Sequence, residues 1–338
     1  MVCFRFASWY CQKRVGLMEE LDLGWGDPYF LLEILGKMYS PSMGSSLAPQ
    51  NCTYAPDAGD PELLLHIKAI TEHTTGNEYK HYLITNGATQ AINTILRSWK
   101  GMYGYKNAVT SHLGYPYYPH MIGKSGLNYV TADLNKYEAD HKDIMVIDSP
   151  SNPMGEQLSK NFETSTIWDA VYHNLIYNAC PAIKPAHNVY VGSFSKLLGL
   201  TGSRVGWIAT NDITEFNAFR HESLMENATV SVPSQKYVKN ILQTIDLMEF
   251  MKFGKNSLDQ NREELQKLAS LTGTDVQERG MFYCFEVDSK MQKLFQDAGI
   301  KYVSPAFGDT QLIRLNIGQT NAILKKAVKA VQKTDKVK

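Results

Sequence analysis

The stretch that says most about this chain is Ser193-Phe194-Ser195-Lys196-Leu197-Leu198-Gly199-Leu200-Thr201-Gly202-Ser203-Arg204-Val205-Gly206-Trp207. One lysine lies among small and hydroxylated residues, and an arginine follows eight positions later. A lysine amine becomes a useful nucleophile when it forms a Schiff base with an aldehyde cofactor, and pyridoxal phosphate is the common partner. Its phosphate needs hydroxyls, free N–H groups and a cation, which Ser193, Ser195 and Arg204 can supply. We therefore predict that Lys196 holds a cofactor.

The composition is that of a globular protein. Of 338 residues, 43% are hydrophobic and 20% charged, and lysine plus arginine equals aspartate plus glutamate at 34 each. Nothing therefore indicates a nucleic-acid partner. Five scattered cysteines without a C-x-x-C pair favour a reducing cytosol. Apolar runs are too short for a secretory signal or a membrane span, so we expect a cytoplasmic protein without membrane contact. None of the motifs below needs a metal ion.

Short apolar strands alternate with helices, which predicts an α/β fold with a mainly parallel sheet. Strands are expected at residues 81–85, 108–111, 129–132, 143–148, 166–170, 189–193, 205–209, 281–287 and 312–316. Helices are expected from 60 to about 72, from 88 to about 100, as a long helical region from about 213 to near 270, and from about 320. Residues 1–45 look irregular because glycine and proline recur there. We expect a small domain from residues 1–45 and 235–338, and a large cofactor-binding domain from residues 46–234.

A strand, a glycine turn and a helix start follow one another in Thr85-Asn86-Gly87-Ala88-Thr89-Gln90. The first turn of a helix has unpaired N–H donors and the positive end of the helix dipole, so it favours an anion. An ordinary strand-to-helix turn has the same pattern, so this motif indicates an anion site only together with the other motifs.

Two further motifs suit a flat, protonated pyridine ring. Pro116-Tyr117-Tyr118-Pro119 offers aromatic faces on which such a ring can stack, although these tyrosines could equally pack in the interior. Asp169 lies in the apolar stretch Ile167-Trp168-Asp169-Ala170-Val171-Tyr172. A carboxylate there needs a partner, and a pyridinium nitrogen is one.

These motifs, in this order, resemble those of the class I/II aminotransferases, the fold-type I pyridoxal phosphate enzymes. The lysine stretch matches the family pattern at every restricted position, and Asn152-Pro153-Met154-Gly155 is similar to the family's Asn-Pro-x-Gly turn. The resemblance extends from about residue 21 to residue 318. It implies a fold-type I transferase, with a mainly parallel central sheet in a large domain and a small α/β domain built from both chain ends.

The resemblance also implies a role for each motif in binding pyridoxal 5'-phosphate and substrate. It assigns Gly87, Ala88, Thr89, Ser193, Ser195 and Arg204 to the phosphate, Tyr118, Asn152, Asp169 and Tyr172 to the ring and its phenolic oxygen, and Arg314, Asn152 and Gly26 to the substrate. Lys196, Asp169 and Tyr172 form the catalytic set. Tyr115 and Tyr117 remain alternatives to Tyr118, because a tyrosine-rich loop leaves the register open. Arg314 could otherwise serve a structural ion pair.

A homodimer with shared active sites is implied as well. Tyr54, in Tyr54-Ala55-Pro56-Asp57-Ala58-Gly59, resembles the tyrosine that reaches the phosphate of the neighbouring subunit. The segment from Thr229 to Ser234 resembles one that crosses the dimer interface. The chain also departs from the family, since only thirteen residues separate Gly155 from Asp169 and the segment 129–148 is short. We expect the helix between Gly155 and Asp169 to be shortened or missing.

The implied activity is that of an aminotransferase, which moves an amino group between an amino acid and a 2-oxo acid through a Lys196 Schiff base. A lyase, synthase or cyclase of the same fold would keep the same motifs and is the alternative. A non-catalytic regulator is a third reading, but the sequence contains no basic arm for DNA. Glu222 and Glu226 occupy the segment where relatives with dicarboxylate substrates present a second arginine, which favours an acidic or neutral specificity pocket.

Overall fold

The computed structural model describes residues 21–24, 26–39, 53–158, 160–179, 188–307 and 310–336. Within these residues the strands form sheets of seven, three and two strands. The strands are β1 (Leu21–Asp22), β2 (His81–Thr85), β3 (Asn107–Ser111), β4 (Asn128–Ala132), β5 (Asp143–Asp148), β6 (Thr166–Asp169), β7 (Asn188–Ser193), β8 (Gly206–Thr210), β9 (Phe282–Glu286), β10 (Ile300–Lys301), β11 (Ala306–Phe307) and β12 (Thr310–Asn316). The α-helices are α1 (Tyr29–Met38), α2 (Pro61–Thr75), α3 (Gly87–Tyr103), α4 (Tyr118–Lys124), α5 (Phe194–Leu197), α6 (Ile213–Asn227), α7 (Val232–Thr244), α8 (Leu247–Gln266), α9 (Ala269–Thr272), α10 (Ser289–Asp297) and α11 (Asn321–Asp335).

The largest sheet has the strand order β2-β8-β7-β6-β5-β3-β4. From β4 through β3, β5 and β6 to β7 every pairing is parallel, and β8 is antiparallel to both β7 and β2. This architecture confirms the predicted α/β class with a mainly parallel sheet. Because parallel strands end at one edge, the segments that follow β3, β5, β6 and β7 meet there, where open sheets of this class bind ligands.

The local sequence explains where two helices beside this sheet begin. Asp60 caps α2 by accepting the N–H groups of Glu62 and Leu63, each at 3.0 Å, and Pro61 occupies the first turn. Gly87 has a φ of +76°, a conformation that L side chains rarely adopt, so a glycine is needed where β2 turns into α3. The N-terminus of α3 therefore follows directly on a buried strand.

Strand β5 shows how the sheet separates two cores. Ile144 and Val146 belong to the buried cluster that includes the apolar face of α3, and Met145 and Ile147 belong to the cluster on the opposite face. A strand that is covered on both faces is continuously apolar, as parallel strands of α/β folds commonly are. The run ends at Asp148, the last residue of the strand and the first polar group at the carboxyl edge.

The connections on either side of β5 are short. Residues 133–142 lead from β4 to β5 and residues 149–165 lead from β5 to β6, without a helix among those described. This agrees with the prediction, from their length, that these segments are trimmed. Leu134 and Phe162 from these connections are buried in the same cluster as Met145, so loop side chains cover this face of the sheet.

A smaller antiparallel sheet, in the order β11-β12-β9, lies in the C-terminal part of the chain. Its register places Arg314 of β12 opposite Cys284 of β9. The parallel pair of β1 and β10 joins Leu21 to Ile300, which brings the N-terminal segment to the C-terminal region. Residues from the two ends of the described chain therefore lie side by side.

The prediction that residues 1–45 are irregular was wrong for part of that stretch. Helix α1 lies within it, directly after Pro28, and buries Phe30, Leu31 and Leu35. These side chains recur at helical spacing, and the helix packs against α8. Tertiary contact outweighs the glycine and proline signals around this helix.

The long helical region expected from residue 213 is divided into successive helices. Ala228 ends α6 with a φ of +57°, and the side chains of Ser231 and Asp246 cap α7 and α8. Each break therefore coincides with a capping residue or a positive φ. None of the helices in the described part of the chain is both long and apolar enough to cross a membrane.

Gly206→Ala tests the tight contact between β8 and the strand-to-helix turn. A Cβ on Gly206 would lie 2.7 Å from the backbone carbon of Gly87 and 2.9 Å from the carbonyl oxygen of Gly192. We expect the free energy of unfolding, measured by urea denaturation, to fall by about 1–3 kcal/mol. Gly202→Ala is the matched control, because a Cβ there meets nothing within 4 Å. Equal losses in the two variants would contradict the assigned contact.

Candidate active site

Lys196 lies in α5, the short helix that begins directly after β7. The hydroxyl of Ser193 accepts the N–H of Ser195 at 3.1 Å, which starts the helical turn. Tyr177 donates its hydroxyl to the carbonyl of Lys196 at 2.7 Å, and the Lys196 amine donates to the carbonyl of Gly26. The lysine is therefore held both at its backbone and at its amine.

The surroundings of the amine favour its neutral form. Burial, together with the charges of Arg314 and Arg204, lowers the pKa of Lys196 to about 8, although the carboxylate of Asp27 opposes the change. An amine with this pKa is substantially neutral in mildly alkaline water. It can therefore attack a carbonyl carbon or accept a proton.

The side chains predicted to bind a phosphate lie together beside the start of α3. Nη1 of Arg204 is 3.5 Å from the hydroxyl of Ser195, and Nη2 is 3.5 Å from the carbonyl oxygen of Asn86. The hydroxyls of Ser193 and Ser195 are 3.0 Å apart. A Cβ on Gly87 would collide with the guanidinium of Arg204, so the glycine lets the arginine approach the helix N-terminus. Hydroxyls, a guanidinium and a helix N-terminus together suit an anion.

Asp169 is the buried carboxyl of the site. It ends β6, is 8% exposed, and accepts the hydroxyl of Tyr118 at 2.7 Å and the N–H of Val171 at 3.3 Å. Burial raises the pKa of Asp169 to about 6, although both hydrogen bonds oppose the rise. A buried carboxylate is stabilised when a cation lies against it, so Asp169 is suited to bind one.

Tyr118, which is predicted to lie against the cofactor ring, is buried in this structure. The side chain is 1% exposed and belongs to the buried cluster on the α3 face of the sheet, together with Ile122. Its hydroxyl is directed to Asp169. Tyr118 therefore supports the carboxyl of Asp169, and its contact with the cofactor ring stays a prediction.

Tyr115, one of the alternatives in the same loop, lies beside the start of α3. Ala88 and Thr89 occupy the first turn of α3, and the Thr89 side chain is hydrogen-bonded to Tyr115. The Tyr115 ring meets that of Tyr118 edge to face, with 5.5 Å between centroids. Burial raises the pKa of Tyr115 to about 12, the Thr89 hydrogen bond opposes this, and the charge of Asp169 adds to it. Tyr115 is thus linked both to the anion site and to the buried carboxyl.

Arg314 and Asn152 connect the small sheet to the large one. Arg314 donates from Nη1 to the side-chain oxygen of Asn152 and from Nη2 to the carbonyl of Gly24, each at 3.0 Å. The guanidinium lies over the ring of Phe282, 4.2 Å from its centroid. Two forward-facing donors on a buried guanidinium match the geometry of a carboxylate.

Tyr172 lies on the same side of the site as Arg314. Its ring contacts those of Tyr177 and Phe282 edge to face, with centroids 5.1 Å and 6.0 Å away. Burial raises the pKa of the Tyr172 hydroxyl above its ordinary value, and the positive charge of Arg314 opposes that rise. The hydroxyl is therefore close enough to the arginine to sense its charge.

Tyr54 is not brought into this site. Its side chain is 84% exposed, on the segment that precedes α2. Its predicted contact with a neighbouring subunit stays a prediction. Tyr177 and Asp148, in contrast, adjoin residues of the site, although no sequence motif assigns either of them a role. The hydrogen bond from Tyr177 to Lys196 joins residues nineteen positions apart, and no local pattern announces it.

The family model described as aminotransferase class I and II matches residues 50–331. An Arabidopsis thaliana protein named as a probable aminotransferase is 29% identical over 195 residues, which cover 47% of this chain and only 43% of that protein. A probable aspartate/prephenate aminotransferase of Aquifex aeolicus is 22% identical over 327 residues, which cover 83% of this chain and 82% of its own.

Solved structures show the same fold. The aromatic aminotransferase of Pyrococcus horikoshii superposes with a TM-score of 0.78 at 18% identity, over 95% of this chain and 97% of that one. The N-succinyldiaminopimelate aminotransferase of Mycobacterium tuberculosis gives a TM-score of 0.75 at 19% identity, over 93% of each chain. At these identities the likeness establishes the fold, which agrees with the fold-type I prediction.

The lowered pKa of Lys196 predicts selective chemistry at its amine. Brief reductive methylation near pH 7.5, followed by peptide mapping, should modify Lys196 faster than Lys239. Burial acts against the charged form of Lys239 too, but hydrogen bonds to Asp60 and Glu62 outweigh it and raise its pKa. Lys239 therefore keeps its proton and serves as the internal control. Slower modification of Lys196 than of Lys239 would refute the assigned environment.

Proposed function

Because the chain belongs to the class I and II aminotransferase family, we propose that it is a pyridoxal phosphate-dependent aminotransferase acting on an amino acid and a 2-oxo acid. The observation that carries the proposal is the meeting of Lys196, Asp169 and Arg314 with the anion site at the carboxyl edge of one sheet. A lysine of lowered pKa, a carboxyl suited to a cation and a carboxylate-binding guanidinium are the groups that amino-acid chemistry on this cofactor requires.

The residues present fit the cofactor. Pyridoxal phosphate supplies an aldehyde that a lysine amine can hold as a Schiff base, and a protonated ring that accepts electrons released at the substrate Cα. We assign its phosphate to Ser193, Ser195, Arg204 and the first turn of α3, with Gly87, Ala88 and Thr89. The guanidinium, the hydroxyls and the side-chain-free start of α3 support this assignment.

On the ring, we assign the protonated nitrogen to Asp169. Its carboxyl is buried, and Tyr118 holds one of its oxygens in place. We assign the exposed ring face to Tyr115 in place of Tyr118, and the phenolic oxygen to Asn152 and Tyr172. A donor to that oxygen stabilises its ionised form.

Substrate binding and proton transfer follow from the positions of Arg314 and Lys196. Arg314 takes the substrate α-carboxylate with two donors, which now face Asn152 and the carbonyl of Gly24. Lys196 Nζ, which is neutral in a useful fraction because of its pKa of about 8, would accept the proton released from the substrate Cα and hold it beside the cofactor. Gly26, whose carbonyl accepts that amine, orients it.

The shared active site remains part of the proposal. We propose a cytoplasmic homodimer in which Tyr54 of the partner subunit contacts the phosphate, and the 84% exposure of Tyr54 supports this. We also retain the division into a small domain of residues 1–45 and 235–338 and a large domain of residues 46–234. The pairing of β1 with β10 supports the joining of the two ends.

A single-turnover experiment separates transamination from elimination or cyclisation. With an amino acid alone, the cofactor-loaded enzyme should convert one equivalent to a 2-oxo acid per site and stop with the cofactor aminated. Added 2-oxo acid should restore the original absorption, because the proton that Lys196 returns completes each half-reaction. A screen of amino acids for loss of the bound cofactor's absorption identifies the substrate class.

Repeated turnover with one amino acid and no 2-oxo acid would overturn transamination in favour of a lyase, synthase or cyclase. Lys196→Ala is the control, since it removes the shuttle and should abolish both half-reactions. If Lys196→Ala turned over as fast as the wild type, Lys196 would have no role in the reaction.

A further inference from the structure

A second carboxyl lies beside Asp169 at the carboxyl edge of the sheet. Asp148 ends β5 and Asp169 ends β6, and the parallel register pairs them directly. Neighbouring strands are about 4.8 Å apart, and paired residues project to the same face. Both side chains are 8% exposed. Two buried carboxyls that adjoin in this way do not both ionise without cost.

The oxygens of Asp148 have their own backbone partners. Oδ2 accepts the N–H of Asn152 at 2.9 Å, and the N–H of Tyr115 also hydrogen-bonds to this carboxyl. Asn152 in turn accepts Arg314, and Tyr115 is bonded to Thr89. Asp148 therefore supports two loops that carry residues of the site, the loop that follows β5 and the loop that follows the neighbouring strand β3.

The charge balance distinguishes the two carboxyls. Burial raises the pKa of Asp148 to about 7, the Asn152 N–H opposes this, and the charge of Asp169 adds to it. Burial raises the pKa of Asp169 only to about 6, because Tyr118 donates to it. The other titratable groups that face Asp148 are the hydroxyls of Tyr118 and Tyr172. Because Asp169 also accepts the hydroxyl of Tyr118, its ionised form is the better stabilised of the two, and Asp148 is the carboxyl expected to keep the proton when only one of them ionises.

We propose that Asp148 is a positioning residue of this site, which stays neutral beside an ionised Asp169 and holds the backbones of Asn152 and Tyr115. The role toward the cofactor rests on the proposed function, whereas the carboxyl pair does not. A neutral Asp148 leaves Asp169 as the single negative charge for the ring nitrogen. Its oxygens keep the amide side chain and the tyrosine of the two loops in place.

Two substitutions separate the carboxyl's charge from its role as an acceptor. Asp148→Asn imitates the neutral acid and keeps an oxygen for the two N–H groups. At pH 6 it should bind pyridoxal phosphate within about threefold of the wild type, as measured by fluorescence quenching. Asp148→Leu removes the acceptor and should weaken binding at least tenfold at every pH, a loss of about 1.4 kcal/mol or more.

The cofactor-free protein tests the carboxyl pair without reference to activity. A folded pKa of about 7 against 3.8 in the unfolded chain means that the folded state holds an extra proton between these values, so this group's contribution to stability falls as pH rises through that window. Asp148→Asn removes that loss. Between pH 5 and 7 its folding equilibrium constant, relative to wild type, should rise by up to about tenfold per pH unit.

Asp143→Asn is the matched control. Asp143 is a carboxyl at the opposite end of the same strand, 1% exposed, and it accepts Asn107 and Tyr137 far from the pair. Its replacement should leave the wild-type pH dependence between pH 5 and 7 in place. If Asp148→Asn folds poorly, infrared absorption of the wild type settles the point, since a protonated carboxyl should disappear as pH rises through about 7.

A flat stability ratio for Asp148→Asn, no protonated carboxyl near pH 7, or a tenfold loss of cofactor affinity at pH 6 would overturn the proposal. A stability ratio for Asp148→Asn that rises between pH 5 and 7, together with an affinity for pyridoxal phosphate within about threefold of the wild type, would support it. Failure of the wild type to bind pyridoxal phosphate would refute the proposed function alone, because the stability ratio and the infrared band still decide the state of Asp148.

Discussion

The hydrogen bond from the Lys196 amine to the carbonyl of Gly26 is the contact on which the rest of the site depends. An amine that is buried loses its water and needs an acceptor in return. Gly26 follows β1, which pairs with β10, and the carbonyl of Leu23 accepts the N–H of Asn316 at 2.7 Å, two residues beyond Arg314. The N-terminal loop, the small sheet and the edge of the large sheet therefore converge on one side chain.

Burial decides the chemistry of this arrangement. Desolvation lowers the pKa of Lys196 and raises that of Asp169, so each moves toward its neutral form. The same burial that lowers the pKa of Lys196 makes ionisation of Asp169 costly unless a cation lies against its carboxylate. The proposed cofactor, which has a carbonyl carbon and a ring cation, would satisfy both groups at once.

The sequence predicted the fold class, the family and the cluster around Lys196, because those features depend on local residue types in a fixed order. It could not choose among Tyr115, Tyr117 and Tyr118, since three tyrosines within four positions look equivalent until the loop is folded. It also gave no role to Asp148, whose neighbour Asp169 is twenty-one residues away and becomes adjacent only through strand register. Pairings of this kind join residues that are distant in the sequence, so no local sequence periodicity predicts them.

The trimmed connections explain how a chain of 338 residues keeps this site. The site uses the ends of β5, β6 and β7 and the start of α3, and none of these requires a helix in the connections that flank β5. Loop residues such as Leu134 and Phe162 cover the sheet face there. The length of a crossover can therefore change while the carboxyl edge of the sheet keeps its geometry.

The most direct test of the central claim is to locate the covalent bond between the protein and its cofactor. Cofactor-loaded protein is reduced with borohydride, digested, and its peptides are mapped by mass spectrometry. We predict that the label appears on the peptide containing Lys196, at about one equivalent per chain. A label on any other lysine, or an unlabelled Lys196 in protein that retains the cofactor, would contradict the account.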